Sequence, residues 1–390
     1  MDAAVKFGFT TDIGTTAVNQ DHWFNWRNDN KHIYVFGVGD GHGKLGEVAS
    51  HIASSTVLEY LEANCDGLDT DPCQFLHECF ILSHKKFKDA YPHDDYDRAG
   101  GTTLSLVAIV RDKLFVANVG DSPVFLCTTP KVLNKDLVRY ERDCFDNMSF
   151  LEETASPSIL SSTIEITRKH SADSLREFDR VRKQYPSTTN PGYPADLLFL
   201  YDTNRRISKR DCKPIFTIAD SGGDVIKDDV GEYYKCVSKE WASIVLGPLS
   251  GHLAFTRSIG DLYWNQLGVS EHPEIQSIDL KELASSLKDD EMTICVVAVS
   301  DGVSDNWTCD GVGNFIMYPN CLTAVATNPN GAQIVANSFL RRSLERAKKN
   351  FGDDIDNATA NIAYVDLKLL LANDIFETDV DTTTTTTTSL

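Results

Sequence analysis

The chain has no run of 18 consecutive apolar residues, no Cys-x-x-Cys pair and a marked shortage of positive charge. The first absence leaves no candidate for a membrane-spanning helix. The second removes the zinc-ribbon and dithiol readings, because the ten cysteines are scattered singly with no Cys/His grouping at zinc spacing. The third is a matter of numbers: 37 Lys and Arg stand against 57 Asp and Glu, a formal net charge of −20. Nucleic-acid binding through a general basic surface is therefore excluded, and substrates with basic flanks are favoured. The opening MDAAVKFGFTTD lacks the apolar segment of a secretory signal. Reduced thiols in a cytoplasmic or nuclear protein are the expectation.

What is present is a set of strand-like apolar runs that meet aspartates. Asp40 follows HIYVFGVG, Asp121 follows LFVANVG and Asp301 follows MTICVVAVS, while Asp356 stands just before ANIAYVD. One Asp-Gly after a strand is ordinarily a turn. Four such corners gather carboxylates at the rim of a sheet, where they repel one another unless a hard cation binds them. Between the corners, Ala49, Ala53, Val57, Tyr60 and Leu61 recur at helical spacing, as do Leu76, Cys79, Phe80, Phe87 and Tyr91. Residues 102–126 read as a hairpin turning at Arg111-Asp112-Lys113. A long helix near 331–349, with Ile334, Val335, Phe339, Leu340 and Leu344 on one face, precedes a final strand pair. Strands with helices outside them imply two central sheets flanked by helical layers. At 390 residues and 42% hydrophobic content, one large sandwich of this kind has enough core.

Seven motifs carry a resemblance. They are Asn19-Gln20-Asp21, Asp40-Gly41-His42-Gly43, Gly100-Gly101-Thr102-Thr103, Gly120-Asp121-Ser122, Arg257-Ser258-Ile259-Gly260-Asp261, Asp301-Gly302-Val303-Ser304-Asp305 and Asp356-Asn357. In this order, across roughly residues 5–370, the chain resembles the metal-dependent protein phosphatase family, the type 2C serine/threonine phosphatases. The resemblance implies an α+β fold, a four-layer α-β-β-α sandwich of two largely antiparallel sheets. It also implies one catalytic domain over 1–371, and the seven consecutive threonines at 382–388 mark 372–390 as an expected flexible tail.

The implied chemistry is hydrolysis of phosphoserine and phosphothreonine in phosphoproteins by a water that bridges two metal ions. The oxygen ligands favour Mg²⁺ or Mn²⁺, two per chain. By resemblance Asp40 bridges the ions, the Gly41 carbonyl supports one, and Asp301 and Asp356 support the other. Asp21 orders ligand waters or binds at the edge. Asp121 and Asp305, with Asp301, match the set that can hold a weaker third ion. His42 is the candidate general acid for the leaving oxygen. Arg257 is expected to be structural. No Cys-x₅-Arg signature is present, so a covalent thiol route has no nucleophile.

The chain departs from the family in places. Thr16 stands where the family usually places a phosphate-binding arginine, with Lys44 and Arg27 as candidate substitutes. Gln20 stands where many members have glutamate, and Pro123 replaces a frequent arginine. Insertions are expected at about 128–163 and 184–245. The second, with basic residues at Arg205-Arg206 and Lys209-Arg210, is expected to border the cleft as a lid or docking segment. Two other readings compete. Gly41-His42-Gly43-Lys44-Leu45-Gly46 satisfies G-x-G-x-x-G, but Asp40 would oppose a pyrophosphate and no second parallel strand follows. A pseudophosphatase, the same fold kept as a binding or regulatory module, is the stronger rival.

Overall fold

The computed structural model describes residues 3–92, 100–145, 159–171, 174–184 and 252–372, with the strands 197–201, 217–218, 225–226 and 242–246. The first part of the chain forms β1 (Val5–Asp12), β2 (His22–Asn28), β3 (Ile33–Gly39), β4 (Gly41–Gly43), α1 (Gly46–Thr70) and α2 (Pro72–Ala90). Next come β5 (Gly100–Thr102), β6 (Leu104–Val110), β7 (Lys113–Val119), β8 (Val124–Cys127), β9 (Arg139–Arg142), β10 (Thr163–Glu165) and α3 (Leu175–Gln184). Short strands follow: β11 (Leu197–Tyr201), β12 (Thr217–Ile218), β13 (Val225–Ile226), β14 (Ala242–Leu246), β15 (His252–Leu253) and β16 (Ile259–Gly260). The last stretch carries α4 (Leu262–Asn265), β17 (Glu274–Asp279), α5 (Leu280–Ser285), β18 (Thr293–Val299) and α6 (Asp301–Ser304). It ends with α7 (Cys309–Ile316), α8 (Pro319–Thr327), α9 (Gly331–Phe351), β19 (Ala358–Asp366) and α10 (Leu367–Ala372).

Two antiparallel sheets dominate, in the orders β2-β3-β6-β7-β17-β9 and β1-β19-β18-β8-β10. Their central strands are apolar nearly throughout because both faces are covered. In β3, Tyr34, Phe36 and Val38 face the second sheet, while Ile33 and Val35 turn to the helices. The period of two thus divides one strand between two cores. The middle core also takes Val107, Val116, Leu126 and Val296, and truncating Phe36 there should cost about 3–5 kcal/mol. Helices α1 and α2 close the six-stranded sheet through Val57, Leu61, Leu76 and Phe80. Val312, Ile316, Val335 and Phe339, from α7 and α9, close the other. This is the expected α-β-β-α arrangement.

Local signals explain where the helices start. Asp71 accepts the Gln74 amide at 2.9 Å and Pro72 opens α2, which separates it from α1. The hairpin of β6 and β7 and the long helix α9 fall where the periodicity placed them. Three expectations need correction. Ile334 is exposed, because the buried stripe of α9 runs through Val335, Phe339 and Leu340. The final strand pair is a single strand, β19, which enters the sheet between β1 and β18. The stretch 128–163 is partly scaffold: β9 forms the edge of the six-stranded sheet beside β17, and Leu133 bridges Ser161. Most of 184–245, including Arg205-Arg206 and Lys209-Arg210, lies outside the described residues, as do 146–158 and the threonine tail from 373.

Candidate metal centre

Asp21, Asp40, Asp121, Asp301 and Asp356 sit beside strand ends and Asp305 at the end of α6, and backbone contacts bring the ends together. The Asp40 amide donates to Thr103 Oγ1 at 3.1 Å, and its carbonyl accepts the Thr103 amide at 2.9 Å. Strand β4 then folds back on β5, pairing Gly41 with Thr102. The Gly41 amide donates to the Gln20 carbonyl at 3.2 Å, so the loop before β2 lies against the metal loop. A Cβ at Gly41 would stand 2.2 Å from the Gly46 carbonyl oxygen, so only glycine allows this approach. Gly302 is equally constrained: a Cβ there would lie 1.9 Å from the Asn357 carbonyl oxygen, which packs the Asp301 corner on the Asp356 corner. The Asp301 amide lies 3.4 Å from Asp40 Oδ2. Asp21 accepts the Ser300 hydroxyl at 2.8 Å, and its second oxygen, Oδ1, is buried with no partner.

The charges at this rim are not compensated. Burial raises the Asp40 carboxyl well above its usual range, and Asp301, Asp21, Asp356 and Asp121 push it further. Asp301 is raised in the same way, by burial and then by Asp121, Asp305 and Asp356. Burial raises Asp21 to about 6 against the relief of its Ser300 and Thr359 hydrogen bonds. Among the described residues, the ion pair made by this set is Lys169 Nζ to Asp121 Oδ2, at 3.9 Å. Clustered carboxylates, all-oxygen donors and an orphaned buried Asp21 oxygen fit a hard divalent cation.

His42 lies on β4 beside this set. Its Nε2 meets Asp261 Oδ2 at 2.7 Å, and the same oxygen accepts the Ser258 hydroxyl at 2.6 Å. A carboxylate accepts, so the ring proton sits on Nε2 and Nδ1 is left without a partner. Phe255 packs edge-on to the ring at 4.6 Å. Asp261 escaped the sequence reading as a partner, although it closes the quoted Arg257–Asp261 motif. Arg257 is fully buried between Asp143 and Glu177, away from solvent, as a structural residue would be.

The residues around the phosphate question are now placed. Thr16 donates to the Ile13 and Val18 carbonyls and accepts from Asn357 Nδ2 at 2.6 Å. It is therefore part of the clasp by which Asn357 holds the 13–20 loop. Gln20 Nε2 donates to the Gly43 carbonyl at 2.7 Å, so the amide fixes the metal loop directly. Arg27 does not join the site. It pairs with Tyr34 across β2 and β3, five residues from His22 and so about 16 Å along the strand, and it bonds Asp29 instead. Lys44 is exposed beside the metal loop and makes no ion pair among the described residues. Sequence reasoning also missed Lys169, which no metal-ligand pattern marks.

The chain is similar to known proteins in part of its sequence and in its fold. Residues 14–141 match the family described as Protein phosphatase 2C. Probable protein phosphatase 2C 35 of Arabidopsis thaliana is 34% identical over 110 residues, 28% of this chain and 30% of that protein. Probable protein phosphatase 2C 45 of Oryza sativa subsp. japonica is 30% identical over 140 residues, 31% of this chain and 42% of that protein. These matches span less than half the length of either relative. Among solved structures, the serine-threonine phosphatase 2C from Toxoplasma gondii superposes with a TM-score of 0.56 at 13% identity, covering 92% of this chain and 94% of that one. A C. elegans sex determining protein superposes with a TM-score of 0.54 at 16% identity, covering 94% and 67%. Among the described residues no helix is long and apolar enough to cross a membrane. Residues 14–141 are thus similar in sequence to protein phosphatase 2C, and 92% of the chain shares the fold of the Toxoplasma gondii phosphatase.

Proposed function

We propose that the chain is a metal-dependent serine/threonine protein phosphatase whose catalytic domain spans 1–371. The observation that carries this reading is the convergence of Asp21, Asp40, Asp301 and Asp356 with unrelieved charge at one rim. Asp40, Asp301, Asp356, Asp21 and the Gly41 carbonyl would hold two Mg²⁺ or Mn²⁺ ions, and Asp121 with Asp305 would contribute to a third. When bound, such ions supply an acidified water and neutralise charge on the phosphoryl oxygens.

The chain's own residues do the rest. The Asp40 main chain is fixed by its two hydrogen bonds with Thr103, which anchors the carboxylate at the rim. Asp261 fixes the ring of His42, which would act as general acid toward a leaving serine or threonine oxygen. Lys169 neutralises part of the charge of Asp121 and lowers the burden on Asp305, which weakens the third cation site. Lys44, exposed beside the metal loop, would meet the phosphoryl group in place of the usual arginine. Phosphoprotein substrates follow from this chemistry, and the 184–245 segment is proposed as their docking element.

The test is hydrolysis of a phosphothreonine peptide with Mn²⁺ or Mg²⁺, against EDTA and the Asp40→Asn and Asp301→Asn variants. Metal-independent turnover, or full activity in Asp40→Asn, would sink the reading. The Thr16–Asn357 clasp, which occupies the place of a phosphate-binding arginine, favours the alternative of a pseudophosphatase. Stoichiometric Mn²⁺ binding without turnover on any phosphopeptide would select it.

A further inference from the structure

At the edge where α2, the end of β9 and the entry to β17 meet, three side chains outside the chemistry above face one another. His77 Nε2 and His272 Nδ1 are 3.1 Å apart, Cys144 Sγ is 3.2 Å from the first, and it is 3.4 Å from the second. The two imidazole rings lie nearly coplanar, 11° apart with centroids at 5.3 Å, and turn their nitrogen edges toward each other. Cys144 is exposed and in no disulfide, and both histidines are half-buried.

This triangle is poorly served by hydrogen bonds. A ring nitrogen presents either a proton or a lone pair and never both, so hydrogen bonds satisfy at most two of its three sides. One cation at its centre engages three lone pairs at once. Tetrahedral zinc, with bonds of about 2.0–2.1 Å to nitrogen and 2.3 Å to sulfur, sets its ligands about 3.3–3.6 Å apart. The observed sides need to open by only a few tenths of an ångström. Burial, with the neighbouring charge of Arg142, lowers His77 to about 4, and burial lowers His272 as well, so both rings are neutral and offer lone pairs. Glu271 lies within electrostatic reach of both and balances added positive charge.

We propose that His77, Cys144 and His272 form a zinc site, with solvent in the fourth position on the exposed side of Cys144. A nitrogen and thiolate donor set selects zinc and discriminates against Mg²⁺ and Mn²⁺, so the site is chemically separate from the aspartate rim. Its position gives it a structural consequence. The His272 carbonyl accepts from Arg257 Nη1 at 3.1 Å, Asp143 beside Cys144 pairs with Arg257, and the Phe145 ring meets His272 edge-on. Zinc would thus clamp helix α2 to the sheet edge through the same loop that carries the buried ion pairs, and folding and binding become linked.

The experiment is a Co²⁺ titration of the chelator-treated full chain in excess Mg²⁺, which saturates the oxygen-lined site. The expected result is one equivalent of Co²⁺ with a thiolate-to-cobalt charge-transfer band, displaced by Zn²⁺, and a melting temperature raised by Zn²⁺. Cys144→Ser and His77→Gln should lose the band and the Zn²⁺-dependent rise while melting like metal-free wild type. Asp40→Asn should retain both, which separates this site from the phosphatase reading. A wild-type titration without a thiolate band overturns the proposal, as does unchanged zinc stoichiometry in Cys144→Ser.

Discussion

The molecule buries carboxylates in two places and treats them in opposite ways. At the rim, Asp40 and Asp301 crowd other aspartates, and burial with that repulsion raises their carboxyls. Behind β17, Asp143, Glu177 and Glu274 are buried more deeply still but are matched by Arg257, Arg180 and Arg168. Burial alone would raise Glu177, yet Arg180 and Arg257 overcome it and hold the carboxyl well below its ordinary range. Arg257 overcomes burial at Asp143 in the same way. The protein thus has the means to neutralise buried acids and does so where they are scaffold. Where they form the rim it leaves the charge standing, which is the electrostatic signature of a site completed by cations. His170 joins the two regions: its Nε2 contacts Glu274, and its Nδ1 accepts the amide of Gly120, the neighbour of Asp121.

The largest effect should come from breaking the rim. Asp40→Asn is expected to reduce metal-dependent phosphatase activity to background with little loss of stability, read by peptide turnover beside a urea melt. His42→Ala should lower kcat by about 10²–10⁴-fold, the usual contribution of a general acid. In the compensated region the result should invert. Arg257→Met takes the shared partner from Asp143 and Glu177, leaving each a single arginine (Arg176 and Arg180), and should cost about 3–5 kcal/mol in urea unfolding, because it leaves buried charge under-compensated.

Acidity separates the regions by sign. The Asp21 carboxyl is raised from 3.8 to about 6, so metal-free protein should gain stability as pH falls through that window. For Asp21 alone the gain is bounded at roughly 2–3 kcal/mol. The lowered carboxyls of Asp143, Glu177 and Glu274 stabilise the fold above their ordinary range and lose that contribution as pH falls below it. EDTA-treated protein should therefore show its highest urea midpoint near pH 4–5, and saturating Mg²⁺ should remove the gain on approaching it. A midpoint that falls steadily from pH 7 to 4 in EDTA would contradict the contrast.

Smaller changes sharpen it. Lys169→Ala should tighten the weakest cation site severalfold, since a half-exposed pair is worth about 1 kcal/mol or less; Mn²⁺ titration reads this. Gln20→Glu replaces a donor facing the Gly43 carbonyl with a carboxylate, so it should loosen the metal loop and gain little Mn²⁺ affinity, despite the added charge.

The sequence by itself determined the layers and the rim. The unbroken apolar run of β3 and the helical periods of α1, α2 and α9 mark most of the buried residues, Ile334 excepted, since a run or a period of 3.6 is a local property of the chain. The strand-end aspartates were visible because Asp40, Asp301 and Asp356 each carry an Asp-Gly or Asp-Asn corner and Asp121 follows Gly120. Distant pairings were not. Asp261 reaches His42 across 219 positions, and Asn357 clasps Thr16 across 341. Arg27 seemed near the site in sequence, but a strand carries each residue about 3.3 Å farther away, and it ends at the other end of β2. His77, Cys144 and His272 illustrate the same limit most fully. No spacing links them, because their elements meet only when α2 packs on the sheet edge beside β9 and β17. Local chemistry is written in the chain; the meeting of side chains from separate elements is decided by tertiary packing.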